Sequence, residues 1–320
     1  MRNAASRNRL IRDGICRAIL SRMKQDKSIV LMGEGAKIKQ WYDCREIHDE
    51  FADRILTLPI SEDSNTNFAV GCAIAGLTPI CDVITADFLF RTMDSICNTA
   101  AKNATVDTPR TIVIRAEHLT GGPTTGQRFE SMFARIPGLS VCVPSNPVDA
   151  CGLMLTALSH KGVTIFLEDR EIPDEGFTDT EKRPMYANPC WTPEPIPFGR
   201  AHLREGWGDD RTTLVTYGLC QRRIVSDPTN LARHDLIDLR TLWPLDMKTI
   251  LQSVARTGRL LVVEPAIAFG GIGAEIVASV ACALPGVRCQ RLGAKRETIP
   301  TAREHHEALY PSVASILAAI

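Results

Sequence analysis

Two glutamates of the sequence stand where a parallel α/β protein binds its ligands. Glu34 follows the apolar run Ser28–Gly33, and Glu62 follows the stretch 56–61 and precedes a segment rich in glycine and alanine. Ligands of such domains meet the carboxyl ends of the strands, so both carboxylates are candidate site residues. Each also has a plainer interpretation, Glu34 as an exposed turn carboxylate and Glu62 as a group that stabilises the positive end of the following helix. Spacing alone favours the plainer interpretation of Glu62.

Several familiar catalytic motifs are absent from the sequence. It contains no phosphate loop of the G-x-x-x-x-G-K-[ST] type, no G-x-S-x-G elbow, no H-E-x-x-H and no Cys/His spacing typical of a metal site. Gly270, Gly271 and Gly273 do not complete G-x-G-x-x-G, because Ile276 stands where the last glycine belongs. We predict a tight strand-to-helix turn there. Nucleotide binding by this chain alone is therefore unsupported, and we predict no metal ligands in it.

The charge balance argues against two classes of partner. Lysines and arginines number 37, as do aspartates and glutamates, so no net field recruits nucleic acid. The longest uncharged run, residues 64–81, contains asparagines, glycines and a proline, which is not typical of a membrane span. We expect no nucleic-acid partner and no membrane insertion.

The cysteines and the N-terminal segment indicate the cellular compartment of the protein. The eleven cysteines are scattered and show no C-x-x-C spacing, which indicates buried thiols in a reducing cytosol. The arginine-rich start of the chain places its apolar residues on one helical face. That pattern favours the first helix of a fold over an organelle presequence. A cytoplasmic protein is predicted.

Apolar runs alternate with helical periodicity in two blocks, which predicts two α/β domains with mainly parallel sheets. A polar, proline-rich stretch separates the blocks, so we place one domain at 1–185, a linker at 186–210 and a second domain at 211–320. The predicted strands are 28–33, 54–58, 79–84, 111–115, 139–143, 163–168, 212–217, 236–239 and 259–264, and the predicted helices after the first are 67–77, 87–102, 147–160, 249–256 and 273–284.

Long stretches of the chain resemble one protein family. They are LPISEDSNTNFAVGCAIAGLTPICDVITADF (58–88), IPGLSVCVPSNPVDACGL (136–153), VTIFLEDR (163–170), TLVTYG (213–218), the segment 235–276 and ETIPTA (297–302). The chain is similar to the beta subunit of the thiamine-diphosphate-dependent decarboxylase component of 2-oxo acid dehydrogenase complexes, in the transketolase-like superfamily. The resemblance implies a pyrimidine-binding domain followed by a transketolase C-terminal domain.

The resemblance also implies roles for individual residues. Glu62 falls on the glutamate that hydrogen-bonds the ring nitrogen of the aminopyrimidine and so activates the cofactor. Ile84 and Phe88 match apolar contacts of that ring, although Phe88 is also interpretable as an ordinary core residue. Gln127 matches a family glutamine, and Glu34 matches an acidic residue of a proton path between paired active sites.

One position departs from the family pattern. Thr125 stands where the superfamily often has an active-site histidine, and threonine cannot exchange a proton near neutral pH as imidazole does. His118 lies upstream and is a candidate replacement, although a lone loop histidine is more often a surface residue. His305 and His306 are expected to be solvated.

The chain also lacks the G-D-G motif with which the superfamily holds magnesium and the cofactor's diphosphate. We therefore expect an alpha subunit to carry thiamine diphosphate's Mg²⁺ ligands, most naturally in an α2β2 assembly that decarboxylates a 2-oxo acid. A lipoyl acyltransferase is a further expected partner of the dehydrogenase version. Two alternatives stay open: a carboligase that passes a ketol or acyl unit to an aldehyde without a lipoyl domain, and a non-catalytic regulatory paralogue.

Overall fold

Two mainly parallel sheets organise the chain, as the alternation of strands and helices predicts. The computed structural model describes residues 9–34, 36, 45–103, 110–119, 124–169, 194–226 and 231–320. Each sheet has one antiparallel strand at an edge. The predicted fold class of two parallel-sheet α/β domains is confirmed.

The first sheet has seven strands in the order β10-β5-β6-β4-β3-β1-β2. Its central strands are buried along their whole length, since helices and loops cover both faces and exclude water from valines, isoleucines and leucines. The strands are β1 (Ile29–Gly33), β2 (Ile55–Thr57), β3 (Thr78–Thr85), β4 (Thr111–His118), β5 (Leu139–Cys142), β6 (Gly162–Asp169) and β10 (Thr241–Trp243).

Helices flank this sheet. They are α1 (Arg9–Gln25), α2 (Arg45–Glu50), α3 (Glu62–Ile74), α4 (Ala101–Asn103), α5 (Glu130–Ala134) and α6 (Pro147–Ala157). Helix α1 packs against α6 so closely that a Cβ at Gly14 would collide with the carbonyl oxygen of Pro147. Helix α3 begins five residues before its predicted start at residue 67. The prediction placed the start too late because the first turn is acidic and shows no apolar periodicity.

The helix predicted over 87–102 is a composite. Residues Ala86–Thr92 form 3-10 turns, and Ser95–Ala100 form a π-helical turn before α4. Leu89, Ile96 and Ala100 are buried, so the apolar spacing that predicted a helix is present, but the winding tightens and then widens along it. Such irregular turns are frequent near functional sites.

The second sheet has five strands in the order β12-β11-β8-β9-β7. The strands are β7 (His202–Arg204), β8 (Thr213–Thr216), β9 (Asp235–Asp238), β11 (Arg259–Ile267) and β12 (Arg288–Ala294), and the helices are α7 (Gly218–Val225), α8 (Met247–Thr257), α9 (Ile272–Ala283), α10 (Arg303–Glu307) and α11 (Val313–Ala319). In the described part of the chain, no helix is long and apolar enough to cross a membrane.

Three strands were not predicted from the sequence. Strand β7 lies within the stretch assigned to a linker and pairs with β9. Strand β10 follows the second domain's β9 but pairs antiparallel with β5 of the first sheet, which links the two halves. Strand β12 is a partly exposed edge strand. All three are short or polar, so they lack the buried apolar run by which the other strands were recognised. Part of the linker, residues 186–193, lies outside the described residues.

Candidate functional site

Glu62 is the first residue of α3, where the chain turns back after β2. Its side chain is 7% exposed, and its Oε2 lies 3.2 Å from Nε of Arg91. The Arg91 side chain is 73% exposed. Helix capping accounts for an acidic residue at this position, but it does not require the carboxylate to be buried. Glu62 thus has the burial expected of a ligand-binding carboxylate.

Glu34 lies immediately after β1 and close to Glu62. Its Oε1 is buried and has no hydrogen-bond partner among the described residues. Burial raises the pKa of Glu34, and the charges of Glu62 and Asp82 act in the same direction, while the Ser61 amide opposes them. The structure therefore brings the two predicted glutamates together, and Glu34 is not simply an exposed turn carboxylate.

The end of β3 places Ile84 and Phe88 on one short stretch. Ile84 has φ of 63°, a left-handed conformation that is unusual for a β-branched residue and costs about 1–3 kcal/mol. Its amide donates a hydrogen bond to Oδ1 of Asp82 at 2.8 Å, which helps to hold that turn. Phe88 is partly buried and packs against the first-sheet core. This packing is compatible both with a core residue and with an apolar contact of a bound ring.

A short loop carries Thr125 and Gln127 to the same region. The amide of Gly126 donates to Oδ2 of Asp87 at 2.7 Å, and the amide of Gln127 donates to Oδ1 at 3.3 Å. Gly126 has φ of 95°, and a Cβ there would collide with the carbonyl oxygen of Leu119, so this position requires glycine. Burial raises the pKa of Asp87, against the effect of these amides. Asp87 thus ties the loop to the stretch that carries Ile84 and Phe88.

Neither Asp87 nor Arg91 was predicted from the sequence as a site residue. Asp87 directly precedes Phe88, and Arg91 follows it by three residues, which places it one 3-10 turn further along. Because both charged residues lie close to a predicted ring contact, the sequence could have indicated them as candidate site residues. Their partners could not be predicted from the sequence, because each contact joins segments that are distant in the chain.

The expectation that His118 is a surface residue is wrong. It is the last residue of β4 and is 2% exposed, with Nε2 at 3.2 Å from Oε1 of Glu130. Burial acts to raise the pKa of Glu130, but the neighbouring His118 and Arg128 outweigh it and lower that pKa to about 2. His118 is paired in register with Asp169 of the adjacent parallel strand β6. A role for His118 in place of the missing histidine requires it to leave this carboxylate, and that role stays a prediction.

His306 was expected to be solvated, and this is wrong too. Its side chain is buried, and Nε2 lies 2.9 Å from the hydroxyl of Tyr310, whose ring packs edge-on at 5.2 Å between centroids. The Tyr310 hydroxyl also lies 3.5 Å from the carbonyl oxygen of Gly126. The C-terminal segment therefore packs behind the loop that carries Thr125. His305 is exposed, as expected.

Other cations near the carboxyl ends of the first-sheet strands are held in buried ion pairs. Burial of such a cation demands a close anionic partner, because an unpaired buried charge is strongly unfavourable. These pairs are Arg12 with Glu117, Arg115 with Glu168 and Asp82, and Arg128 with Asp169. Arg91 differs from them, since its guanidinium faces solvent.

The turn predicted at Gly270–Gly273 is confirmed. Gly270 has φ of 71°, and α9 begins at Ile272. A Cβ at Gly271 or Gly273 would collide with the buried carboxyl group of Glu264. Burial raises the pKa of Glu264 to about 8, so the glycines make room for a carboxyl group whose neutral form is favoured in the folded state.

The residue types at this edge fit an aminopyrimidine ring. A buried carboxylate, Glu62, can hydrogen-bond a ring nitrogen, and the partly buried Phe88 offers apolar surface. Oε1 of Glu34, which has no partner among the described residues, can engage a further polar group. Among the described residues, no group of three or more His, Cys, Asp or Glu side chains could hold a metal ion.

Two family patterns match most of the chain. The pattern described as transketolase, pyrimidine binding domain matches residues 9–173. The pattern described as transketolase, C-terminal domain matches residues 200–316. The two matches follow each other in the order that the two sheets have in the structure.

Relatives that are about one-third identical to this chain align with it over most of their own length. The pyruvate dehydrogenase E1 component subunit beta of Rickettsia bellii is 34% identical over 285 residues, which is 84% of this chain and 83% of the relative. The acetoin:2,6-dichlorophenolindophenol oxidoreductase subunit beta of Cupriavidus necator is 33% identical over 295 residues, with coverages of 85% and 83%. A solved chain described as a split-gene transketolase, inactive β4 tetramer, has a TM-score of 0.78 at 18% identity and covers 97% of this chain and 96% of its own, which supports the fold.

Proposed function

Since the chain belongs to the transketolase-type family of beta subunits of 2-oxo acid dehydrogenase E1 components, we propose that it activates thiamine diphosphate through Glu62 in a heteromeric enzyme that decarboxylates a 2-oxo acid. The proposed limits of its domains are 1–185 and 211–320, joined by 186–210. The observation that carries the proposal is the buried Glu62 carboxylate at the start of α3, whose Oε2 lies 3.2 Å from Arg91 on the stretch Ala86–Thr92 that also carries Phe88.

Each proposed role follows from the chemistry of the side chain. Glu62 hydrogen-bonds the pyrimidine nitrogen, and Ile84 and Phe88 hold the ring by apolar contact. Gln127 contributes an amide from the adjacent loop. Glu34 exchanges a proton between paired sites, a task for which a carboxyl group with a raised pKa is suited near neutral pH. When bound, the cofactor supplies the electron sink for the reaction.

We propose that a partner alpha subunit completes the site. The described residues offer no cluster of metal ligands, and the sequence has no G-D-G motif, so Mg²⁺ and the diphosphate are assigned to that partner. The proposed assembly is a cytoplasmic α2β2 heterotetramer. Both relatives above are named as beta subunits, which supports a heteromeric enzyme.

The fate of the acyl group depends on the loop at Thr125. In the dehydrogenase version, a lipoyl acyltransferase receives it, and the named relatives favour this version. Thr125 offers no imidazole for the transfer of the acyl group to a lipoyl domain. This observation favours the carboligase alternative, which does not need that transfer. The non-catalytic alternative is disfavoured because Glu62 is retained in a buried position. Lipoamide reduction by the assembled enzyme separates the first two versions, since a carboligase forms a carbon–carbon bond instead.

The proposal is tested by Glu62→Gln in the enzyme assembled with its partner. The amide cannot supply the carboxyl group's proton chemistry, so exchange of the cofactor's thiazolium C2 proton, followed by NMR, should slow by about 100-fold or more. Glu297→Gln changes an exposed glutamate of the second domain and is the matched control, with unchanged exchange expected. Exchange at the wild-type rate in the Glu62→Gln enzyme would rule out the central assignment.

A further inference from the structure

A cleft of about 330 Å³ lies between the two halves of the chain. One side of it is a face of the antiparallel pair β7–β9. His202 and Arg204 are two residues apart on β7 and pair in register with Asp238 and Leu236 of β9, so the four side chains lie on one face of the sheet. Helix α7 and the start of α6 complete the lining, with Gln221 and Val225 from the former and Asn146, Val148 and Asp149 from the latter.

The cleft is separate from the candidate cofactor site. Asn146 and Asp149 follow β5, whereas Glu34 follows β1, and strands β6, β4 and β3 stand between β5 and β1 in the first sheet. Four interstrand spacings of about 4.8 Å amount to roughly 19 Å along the sheet. The described residues that line the cleft include none of the side chains proposed to hold the cofactor's ring. A molecule bound in the cleft would therefore be a second ligand.

Arg204 is a partly buried cation without a carboxylate partner among the described residues. Its Nη2 lies 3.4 Å from the carbonyl oxygen of Leu231, which is a long hydrogen bond, and its Nε is buried with no partner in the same part of the chain. Burial lowers the pKa of Arg204, and no neighbouring charge opposes that effect. The buried Arg115, in contrast, is paired with Glu168. Because a desolvated charge without a counterion is unfavourable, Arg204 favours the binding of an anion.

The other charged groups on this face have partners already. Arg240 donates two hydrogen bonds to Asp149, from Nε to Oδ2 at 2.8 Å and from Nη2 to Oδ1 at 2.7 Å. Burial and the charge of Asp149 raise the pKa of Asp238 to about 7. The carboxyl group of Asp238 accepts hydrogen bonds from the Ser145 hydroxyl and the Arg240 amide. The guanidinium of Arg204 is thus the cationic group that a ligand in the cleft can engage without breaking one of these pairs.

We propose that the cleft binds a small aliphatic carboxylate, whose carboxylate group pairs with Arg204 and whose chain contacts Val148, Val225 and Leu236. The planar guanidinium matches a carboxylate with two parallel hydrogen bonds, and His202 on the same strand face can donate a further one. A phosphate ion would leave the three apolar side chains in contact with water, whereas an aliphatic chain would cover them. Since both halves of the chain line the cleft, the ligand would also hold the halves together.

The test is calorimetry of the full chain with isovalerate, in the absence of thiamine diphosphate. Arg204→Gln should weaken binding by about tenfold or more, because the hydrogen bonds of a charged pair are lost. Arg200→Gln changes an exposed arginine outside the cleft and is the matched control, with unchanged affinity expected. Acetate has the same charge but lacks the aliphatic chain, so it should bind about tenfold more weakly than isovalerate. Inorganic phosphate should also bind more weakly.

Four results would each overturn the proposal: no binding of isovalerate, equal binding of acetate, tighter binding of phosphate, or undiminished affinity in Arg204→Gln. Hydrogen exchange of the wild-type chain gives a test that needs no variant. Isovalerate should slow the exchange of backbone amides in β7 and α7, and an unchanged pattern would contradict binding in the cleft. Glu62→Gln should bind isovalerate as the wild type does, so this inference and the proposed function can fail independently. Loss of binding in Glu62→Gln would place the ligand at the cofactor site and refute the inference.

Discussion

At the scale of single residues, the candidate site depends on carboxyl groups that are buried to different degrees. Glu62 has Arg91 as a partner, whereas Oε1 of Glu34 is buried with no hydrogen bond among the described residues. An unpaired buried oxygen is unfavourable for stability and persists when it serves function. Ile84 adds backbone strain at the same edge. Two unfavourable features, the Oε1 of Glu34 without a partner among the described residues and the strained backbone of Ile84, thus coincide where the resemblance places the cofactor ring.

Glu34→Gln should change stability in a pH-dependent way. The pKa of Glu34 is raised by burial and by the charges of Glu62 and Asp82, so the folded state favours its neutral form. Its stabilising contribution is present below its unfolded pKa and is lost as the pH rises through the folded pKa. The neutral amide avoids this loss. Urea denaturation should therefore show a stabilised variant at pH 8 and little change at pH 4.

An equal gain in the free energy of unfolding at both pH values would show that the effect comes from packing. That result would contradict the raised pKa of Glu34 as its cause. Exposed Glu297→Gln is again a suitable control, since its carboxyl group should be solvated in both the folded and the unfolded state.

At the scale of elements, contacts between distant segments place the predicted residues together. Strand β3 carries Ile84 near its end, the irregular stretch after it carries Asp87 and Phe88, and the carboxylate of Asp87 accepts hydrogen bonds from the amides of Gly126 and Gln127. The loop with Thr125 is also backed by Tyr310 near the C-terminus. The loop is therefore held from two sides, by Asp87 of the first domain and by Tyr310 in the turn that follows α10.

Asp87→Asn should loosen that loop. An amide side chain offers one acceptor oxygen where the carboxylate offers two, so one of the two backbone amides loses its partner. Hydrogen exchange at the amide that loses its acceptor, Gly126 or Gln127, should accelerate by about 10- to 100-fold, since a hydrogen bond to a charged group contributes about 1.5–3 kcal/mol.

Asp94→Asn alters an exposed aspartate a few residues further along the chain and should leave this exchange unchanged. Equal protection in the Asp87 and Asp94 variants would show that Tyr310 and Gly126 hold the loop without Asp87.

At the scale of the whole molecule, the two halves are interlocked rather than merely linked. Strand β10 leaves the second half to pair with β5, and one apolar cluster contains side chains from both sheets, including Val141 and Val262. The stretch that follows β3 nevertheless leaves Arg91 open to solvent, and Phe68 of α3 is also exposed. A cofactor bound there would be covered by this chain on one side only, which agrees with the proposed need for a partner.

The isolated chain should therefore bind thiamine diphosphate and Mg²⁺ weakly. Calorimetry should detect little or no binding to this chain alone and clear binding once the alpha subunit is added, because the metal and diphosphate ligands are assigned to the partner. Removing Mg²⁺ with a chelator should abolish binding to the assembled enzyme. Tight binding by the isolated chain would contradict the division of the site.

The sequence by itself determined the fold class, most of the strands and helices, and the placement of Glu34 at the end of β1, whereas Glu62 begins α3 five residues after the end of β2. Those features can be predicted because buried apolar runs and helical periodicity are patterns of residues that adjoin in the chain. Tertiary structure alone decided that β10 joins the first sheet, that His118 and His306 are buried, and that Asp87 and Arg91 reach Gly126 and Glu62. Each of these features depends on contact between two segments that are far apart in the chain. Such a contact produces no periodic pattern in the sequence of either segment.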